Sequence, residues 1–337
     1  MINNLLFDIE ITNKCNLNCK YCQSCYGRNS NKDLNTKEVY SLMDWIRYIQ
    51  LSSQKNNVEL FFVGNEPFLR KDIYSILEYA DINGIKNTGI LTNGTFIAEE
   101  NISLLKKLNV KVITISVDDS IEFEFDKLTQ IKGSYKAVLN GIKSLVKFKE
   151  TTASELPYLI ATTVITKNNI SRLNEIGLWL YSLGFDRWQL IPVQHLKNSL
   201  IYNKLGLLPE HWKQIEFVID KFHSKLPNFI IMNKKYLSQM KKYVQDKMDA
   251  PKYSPACQTT FLIKNDGFIF PCYRWAGKNW QDQGNYNEIK APYEKFGLYY
   301  QSIDNFNSLL SYEKSILRYY SDSICKGCCH LGNMMKD

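Results

Sequence analysis

Cys15, Cys19 and Cys22 stand in the run Cys15-Asn16-Leu17-Asn18-Cys19-Lys20-Tyr21-Cys22, a CxxxCxxC spacing. Three thiolates spaced in this way can bind three irons of a four-iron cluster and leave the fourth iron open. A closed electron-transfer cluster takes four cysteines, whereas an open iron can bind a substrate and cleave it reductively. Two other readings of the run stay open. Structural zinc sites usually come as paired CxxC or CxxC…HxxxH with four ligands, a spacing this run fits poorly. Cys25 extends the run to CxxxCxxCxxC, and four ligands would close a ferredoxin-like cluster. The bacterial ferredoxin run is CxxCxxCxxxC followed by Pro, whereas Tyr26 follows Cys25.

A second constellation lies far along the chain. Residues 260–264, the turn Asn265-Asp266-Gly267 and residues 268–270 read as a β-hairpin with a D-G turn. Cys257 before the hairpin and Cys272 after it can face each other. Cys325-Lys326-Gly327-Cys328 is a compact CxxC that completes four-coordination, around an iron–sulfur cluster or zinc. The chain has nine cysteines, an odd number, most of them clustered. In a reducing compartment that pattern reads as metal binding rather than disulfides, so a cytoplasmic protein is expected.

The elements that must position these thiols alternate. Strands are predicted over residues 5–11, 58–63, 88–91, 110–117, 159–165 and 188–192. Helices are predicted over 36–48 (with Thr36 as N-cap), 72–82, 99–108, 135–148 and 172–183. Repeated βα units imply an α/β fold with a parallel sheet and right-handed crossovers. In barrels of this kind the C-terminal strand ends carry the chemistry, and the cysteine run directly follows the first strand. Residues 1–200 form the main domain. Residues 201–254 are linker helices with a short strand near 229–232, and residues 255–337 are a small C-terminal α+β module after a Pro-rich boundary at 251–255.

Composition excludes some classes. The 337 residues suffice for one large domain plus a small one. No stretch approaches the roughly 18 apolar residues of a membrane span, and the N-terminus lacks the basic segment of a signal peptide. The formal charge is +8 with lysines spread along the chain, which reads as a solvated surface rather than a nucleic-acid site.

The cysteine run, with an aromatic residue before its last cysteine, resembles the signature of the radical S-adenosylmethionine (SAM) enzymes. The resemblance implies a partial (β/α)6 barrel, a 4Fe–4S cluster on Cys15, Cys19 and Cys22, and SAM on the open iron. One electron then releases a 5′-deoxyadenosyl radical that abstracts hydrogen, chemistry that needs a cofactor. A flavodoxin- or ferredoxin-type donor would supply that electron. Gly64-Asn65-Glu66-Pro67 resembles the family's GGEP motif, with Asn65 in place of the second Gly. It implies contacts to the SAM amino group from Gly64, Asn65 and the Glu66 carboxylate. Asn93 in Thr92-Asn93-Gly94-Thr95 resembles a family turn near the ligand, although a plain N-G turn fits equally well. Ser116 is the candidate for the ribose or carboxylate, and Asp118 for an orienting role. Gln194 and Tyr21 are placed by the resemblance near the adenine. The family's Arg before Gly133-Ser134-Tyr135 is replaced by Thr129, with Lys127 and Lys132 as nearby cations.

The pattern Cys257…Cys272…Cys325-xx-Cys328 resembles the twitch module, a shortened SPASM domain, and implies one auxiliary 4Fe–4S cluster. Cys329 and His330 are not required as its ligands. Tyr273, beside Cys272, is the candidate for hydrogen donation or for lining the pocket. An auxiliary cluster favours net two-electron oxidation of a natural-product precursor, either a small sugar or aminocyclitol or a ribosomal peptide. The alternatives are a redox-neutral radical SAM epimerase, or a non-enzymatic iron–sulfur or zinc protein that binds nucleic acid.

Overall fold

Six segments rich in β-branched and aromatic residues form parallel strands: β1 (Asn4–Glu10), β2 (Asn57–Val63), β3 (Asn87–Thr92), β4 (Val110–Ser116), β5 (Tyr158–Ile165) and β6 (Arg187–Pro192). The computed structural model describes residues 4–22, 33–53, 57–193, 200–232, 234–245, 260–270, 298–304 and 307–309. Each crossover moves one strand along, so the order β6-β5-β4-β3-β2-β1 follows the chain. The connecting helices are α1 (Thr36–Ser52), α2 (Ile73–Ile82), α3 (Glu99–Lys107), α4 (Glu122–Thr129), α5 (Ser134–Thr151) and α6 (Leu173–Ser182). This is an α/β fold with a parallel sheet of the kind a partial barrel needs.

Local chemistry explains the boundaries. The α1 cap is Asn35 rather than Thr36. Asn35 Oδ1 accepts from the Glu38 amide at 3.1 Å, and the Glu38 carboxylate accepts from the Asn35 amide at 2.7 Å, a reciprocal capping box. Thr36 is the first helical residue, and its hydroxyl donates to Asp72 at 2.6 Å. The apolar stripe Val39, Leu42, Met43, Ile46 and Ile49 is buried against the sheet. α4 has no counterpart among the expected helices, because the first four of its eight residues alternate acid and aromatic (Glu122-Phe123-Glu124-Phe125) and mimic a strand.

Past β6 come α7 (Leu200–Leu205), α8 (Trp212–Lys225) and α9 (Lys234–Val244). The short strand expected near 229–232 is a single parallel bridge between Ile230 and Trp188 of β6. Trp188 is fully buried against Phe222 and Phe229, and its indole N–H donates to Thr163 at 2.9 Å. Gly177 of α6 lets this ring in: a Cβ there would stand 2.3 Å from Trp188 Cζ3 and 2.5 Å from Phe222 Cζ. Gly177→Ala is therefore expected to cost about 1–3 kcal/mol through overpacking, read as an earlier midpoint in urea unfolding.

The hairpin forms where the D-G turn predicts, with β7 (Thr260–Ile263) and β8 (Phe268–Phe270) joined through Gly267 at φ +86°. It does not stand apart from the barrel. β7 pairs in parallel with β1, and β8 and the two-residue β9 (Leu298–Tyr299) follow antiparallel, so one nine-stranded sheet runs through both. Phe7 of β1 stacks on Phe261 of β7 at 5.5 Å. Among the described residues no helix is long and apolar enough to cross a membrane.

Candidate active site at the strand ends

The cysteine run leaves the C-terminal end of β1 without regular structure of its own, so other elements must hold it. α4 does much of this. That helix stops at Gln130, whose φ of +59° is left-handed, and its last carbonyls have no partner within the helix. The Asn18 amide donates to the Thr129 carbonyl and the Lys20 amide to the Leu128 carbonyl, both at 3.0 Å. The Gln130 side-chain amide donates to the Asn18 carbonyl. Within the run, the Cys22 amide closes a turn on the Cys19 carbonyl at 2.9 Å.

The hairpin holds the loop ends. The Thr12 hydroxyl and Asn13 amide donate to Asp33 at 2.7 and 2.9 Å, and the Asn265 side-chain amide donates to Asp33 at 2.9 Å. The Leu34 amide donates to the Asn265 carbonyl at 2.8 Å. Thus residues 12–13 before the cysteines and 33–34 after them meet on one turn of the hairpin.

These constraints bring the predicted residues together around one cavity of about 250 Å³. Cys15, Cys19 and Cys22 form one wall as half-buried thiols. Gly64 and Asn65 after β2, Asn93 after β3, and Ser116 and Asp118 at the end of β4 also line it, with Tyr21 between the thiols and Asp118. Among the described residues no three metal-ligating side chains converge on a point that a single ion could occupy. A four-iron cluster needs no such convergence, because each thiolate binds a different iron.

Tyr21 Oη donates to Asp118 at 2.5 Å, and Asp118 also accepts from the Val164 amide at 2.7 Å. Burial pushes the Asp118 carboxyl up to about 6, against the pull of those two donors. Burial, then the neighbouring Asp118, raises the Tyr21 phenol well above its ordinary value.

Glu66 sits differently from its neighbours in the motif. It is fully buried and does not line the cavity. Its carboxylate accepts from the Thr92 hydroxyl at 2.8 and 2.9 Å, the Asn93 amide at 2.7 Å and the Phe68 amide at 3.1 Å. Its own amide donates to the Lys14 carbonyl at 2.9 Å. Glu66 thereby ties together the loops after β1, β2 and β3. Burial raises its carboxyl to about 7, opposed by the Asn93, Thr92 and Phe68 donors.

Asn65 adopts φ +44°, a conformation that Asn tolerates better than most residues. Its Nδ2 donates to the Thr12 carbonyl at 3.4 Å, while its Oδ1 is buried and accepts no hydrogen bond. A buried acceptor left unmade is costly, and Asn65 is one of the residues that line the cavity. Three thiols plus an orphaned acceptor beside them fit SAM and its cluster.

Thr129, at the family's Arg position, lines the cavity but spends its hydroxyl on Ser134 and on the α4 carbonyls of Phe125 and Asp126. Lys127 pairs with Glu124 at 3.6 Å, Lys132 is exposed, and neither lines this cavity. Gly133-Ser134-Tyr135 is held by Asp126, which accepts from all three residues at 2.6–2.9 Å.

Sequence reasoning missed Glu10, Leu17, Val63, Leu91 and Phe125 in the cavity wall. Glu10 carried a signal: it is an acid at the C-terminal end of β1, directly before the loop that carries the cysteines. It pairs with Lys264 at the hairpin turn. Gln194, Cys25, Cys257, Cys272, Tyr273, Cys325, Cys328, Cys329 and His330 lie outside the described residues.

The comparisons agree with this geometry. The family model described as the radical SAM superfamily matches residues 9–176. An uncharacterized protein of Methanocaldococcus jannaschii is 30% identical over 226 residues, 62% of this chain and 73% of that one. A probable GTP 3′,8-cyclase of the same organism is 28% identical over 78% of this chain and 83% of its own length. The crystal structure of Streptococcus suis SuiB bound to S-adenosylmethionine shares the fold at a TM-score of 0.61 and 18% identity, over 96% of this chain and 67% of that one. With the cysteine run, the strand-end loops and the parallel sheet all falling within or beside the matched segment, this chain belongs to the radical SAM superfamily.

Proposed function

We propose that this chain is a radical SAM oxidoreductase acting on a natural-product precursor. The observation that carries the reading is the single cavity in which Cys15, Cys19 and Cys22 meet Gly64, Asn65, Asn93, Ser116 and Asp118. The three thiolates, which line the cavity together, would hold a 4Fe–4S cluster. When bound, SAM and the reduced cluster supply a 5′-deoxyadenosyl radical, which takes a hydrogen atom from the substrate.

The chain's own residues bind and orient. The Gly64-Asn65 turn, in which Asn65 Oδ1 accepts no hydrogen bond from the chain, would receive the SAM ammonium. Glu66 fixes these loops from beneath. Ser116 offers a hydroxyl to the ribose or carboxylate. Asp118 holds the Tyr21 phenol in place beside the cluster loop, and Gln194 is assigned to the adenine edge. A flavodoxin- or ferredoxin-type protein would supply the electron.

A net two-electron oxidation releases one further electron and a proton from the substrate radical. Cys257, Cys272, Cys325 and Cys328 are the ligands proposed to hold an acceptor for that electron, a second 4Fe–4S cluster in a twitch-type module. Tyr273 is the proposed substrate-facing residue beside it. The substrate is a small molecule or a peptide; the relative whose name is a GTP cyclase supports the small-molecule arm.

Anaerobically reconstituted protein is expected to be brown and to hold about eight irons. With SAM and a reductant it should form 5′-deoxyadenosine. Four irons would keep the first cluster and remove the second. Colourless protein holding only zinc would overturn the proposal.

A further inference from the structure

The Cys15 sulfur is held by more than its own loop. It accepts from the Leu17 amide at 3.4 Å within the run, and from Asn93 Nδ2 at 3.8 Å across the cavity wall. That second donor belongs to a different strand end, 78 residues away in sequence.

The orientation of the Asn93 amide follows from its partners. Its Oδ1 accepts from the Thr95 backbone amide at 2.9 Å and from the Thr95 hydroxyl at 2.6 Å. A backbone N–H can only donate, so the atom facing it is the oxygen. The nitrogen must then point to Asn16 Oδ1, at 2.8 Å, and to Cys15 Sγ. Asn16 Nδ2 in turn donates to the Thr95 hydroxyl at 2.9 Å. Asn93, Thr95 and Asn16 form a closed ring of hydrogen bonds that allows one amide orientation. From below, the Asn93 backbone amide is fixed on the buried Glu66 carboxylate. Asn93 itself is 8% exposed, so water competes little for its donors.

We propose that Asn93 is a positioning residue that sets the reduction potential of the cluster through its hydrogen bond to Cys15. The inference rests on the reading of Cys15 as a cluster ligand. A donor aimed at a ligating sulfur stabilises the extra negative charge that reduction adds, and hydrogen bonds to cluster sulfurs are a main determinant of potential. Asn93 therefore makes the cluster easier to reduce. Asn16 and Thr95 act by holding Asn93.

The test is an EPR-monitored redox titration of the anaerobic, reconstituted protein without SAM. Asn93→Ala removes the donor and is expected to shift the midpoint to more negative values at unchanged iron content. Asn93→Asp keeps the acceptor for Thr95, replaces the donor with a carboxylate oxygen and should shift the midpoint further the same way. Thr95→Val removes the hydroxyl of the ring but leaves Asn93 in place, and an intermediate negative shift is expected. It also serves if the Asn93 variants fail to load iron. Midpoints equal to wild type in the variants that load would overturn the inference. Full iron content in Cys15→Ala would instead end the parent reading of Cys15.

Discussion

Replacing Cys15, Cys19 or Cys22 by Ala is expected to remove about four irons per chain and to reduce 5′-deoxyadenosine formation to background. The three thiols share one wall of the cavity on a loop without regular structure. Each would bind a different iron, so no neighbour can stand in for a lost one. The fold should survive, because the loop is pinned by α4, by Asp33 and by the hairpin turn rather than by the thiols. Iron analysis and far-UV circular dichroism on the same samples separate the two effects. If the Cys25 thiol closed the cluster as a fourth ligand, Cys25→Ala would lose iron in the same way; retention of all iron in that variant is the expected result.

The largest effect on stability is expected at Glu66. Glu66→Ala leaves the Thr92 hydroxyl and the Asn93 and Phe68 amides without their acceptor in a fully buried place. Orphaned buried donors cost about 1–3 kcal/mol each, so with three of them a loss of at least about 3 kcal/mol is expected. Glu66→Gln keeps the shape and one acceptor oxygen and should cost less. The same residue gives a pH signature. Its carboxyl is raised from 4.5 to about 7 in the folded protein, so between those values the folded state holds more protons than the unfolded one. Stability must then fall as pH rises through that window, by on the order of 3 kcal/mol, and level off above it. The Asp118 carboxyl, raised to about 6, acts in the same direction in wild type and in a Glu66 variant, whereas Asp72, Asp81 and Asp126 are lowered and their contribution is already complete in the upper part of the same window. Urea midpoints of the anaerobic protein at about pH 5 and about pH 7 should differ in wild type and differ less in Glu66→Gln. Equal slopes in the two proteins would assign the pH dependence elsewhere.

How much of this was legible in the sequence depended on the kind of interaction. Strands β1 to β6 were readable because a strand covered by helices must be apolar for most of its length, and their ends fell within a residue or two of expectation. Asn65, Asn93, Ser116 and Asp118 were readable as a group because the family resemblance implied a ligand-side role for each at the end of β2, β3 or β4, and the parallel sheet brings those ends to one side. α4 was not readable, since acid–aromatic alternation imitates a strand, and so the support of the cysteine loop by Leu128, Thr129 and Gln130 stayed hidden. The hairpin was legible from its D-G turn, whereas its pairing with β1 was not, because strand neighbours distant in sequence leave no local pattern. Glu66 shows the limit of motif reading. Its position was found, but only the structure shows a carboxylate surrounded by donors from its own fold.

The central claim is that Cys15, Cys19 and Cys22 hold a cluster whose fourth iron is open to SAM. The measurement that tests it most directly is the EPR spectrum of the reduced, anaerobically reconstituted protein before and after SAM is added. Direct ligation to the open iron predicts a changed g-tensor on addition of SAM, absent in Cys19→Ala. A reduced four-iron signal that stays the same at saturating SAM would show a closed cluster and contradict the account.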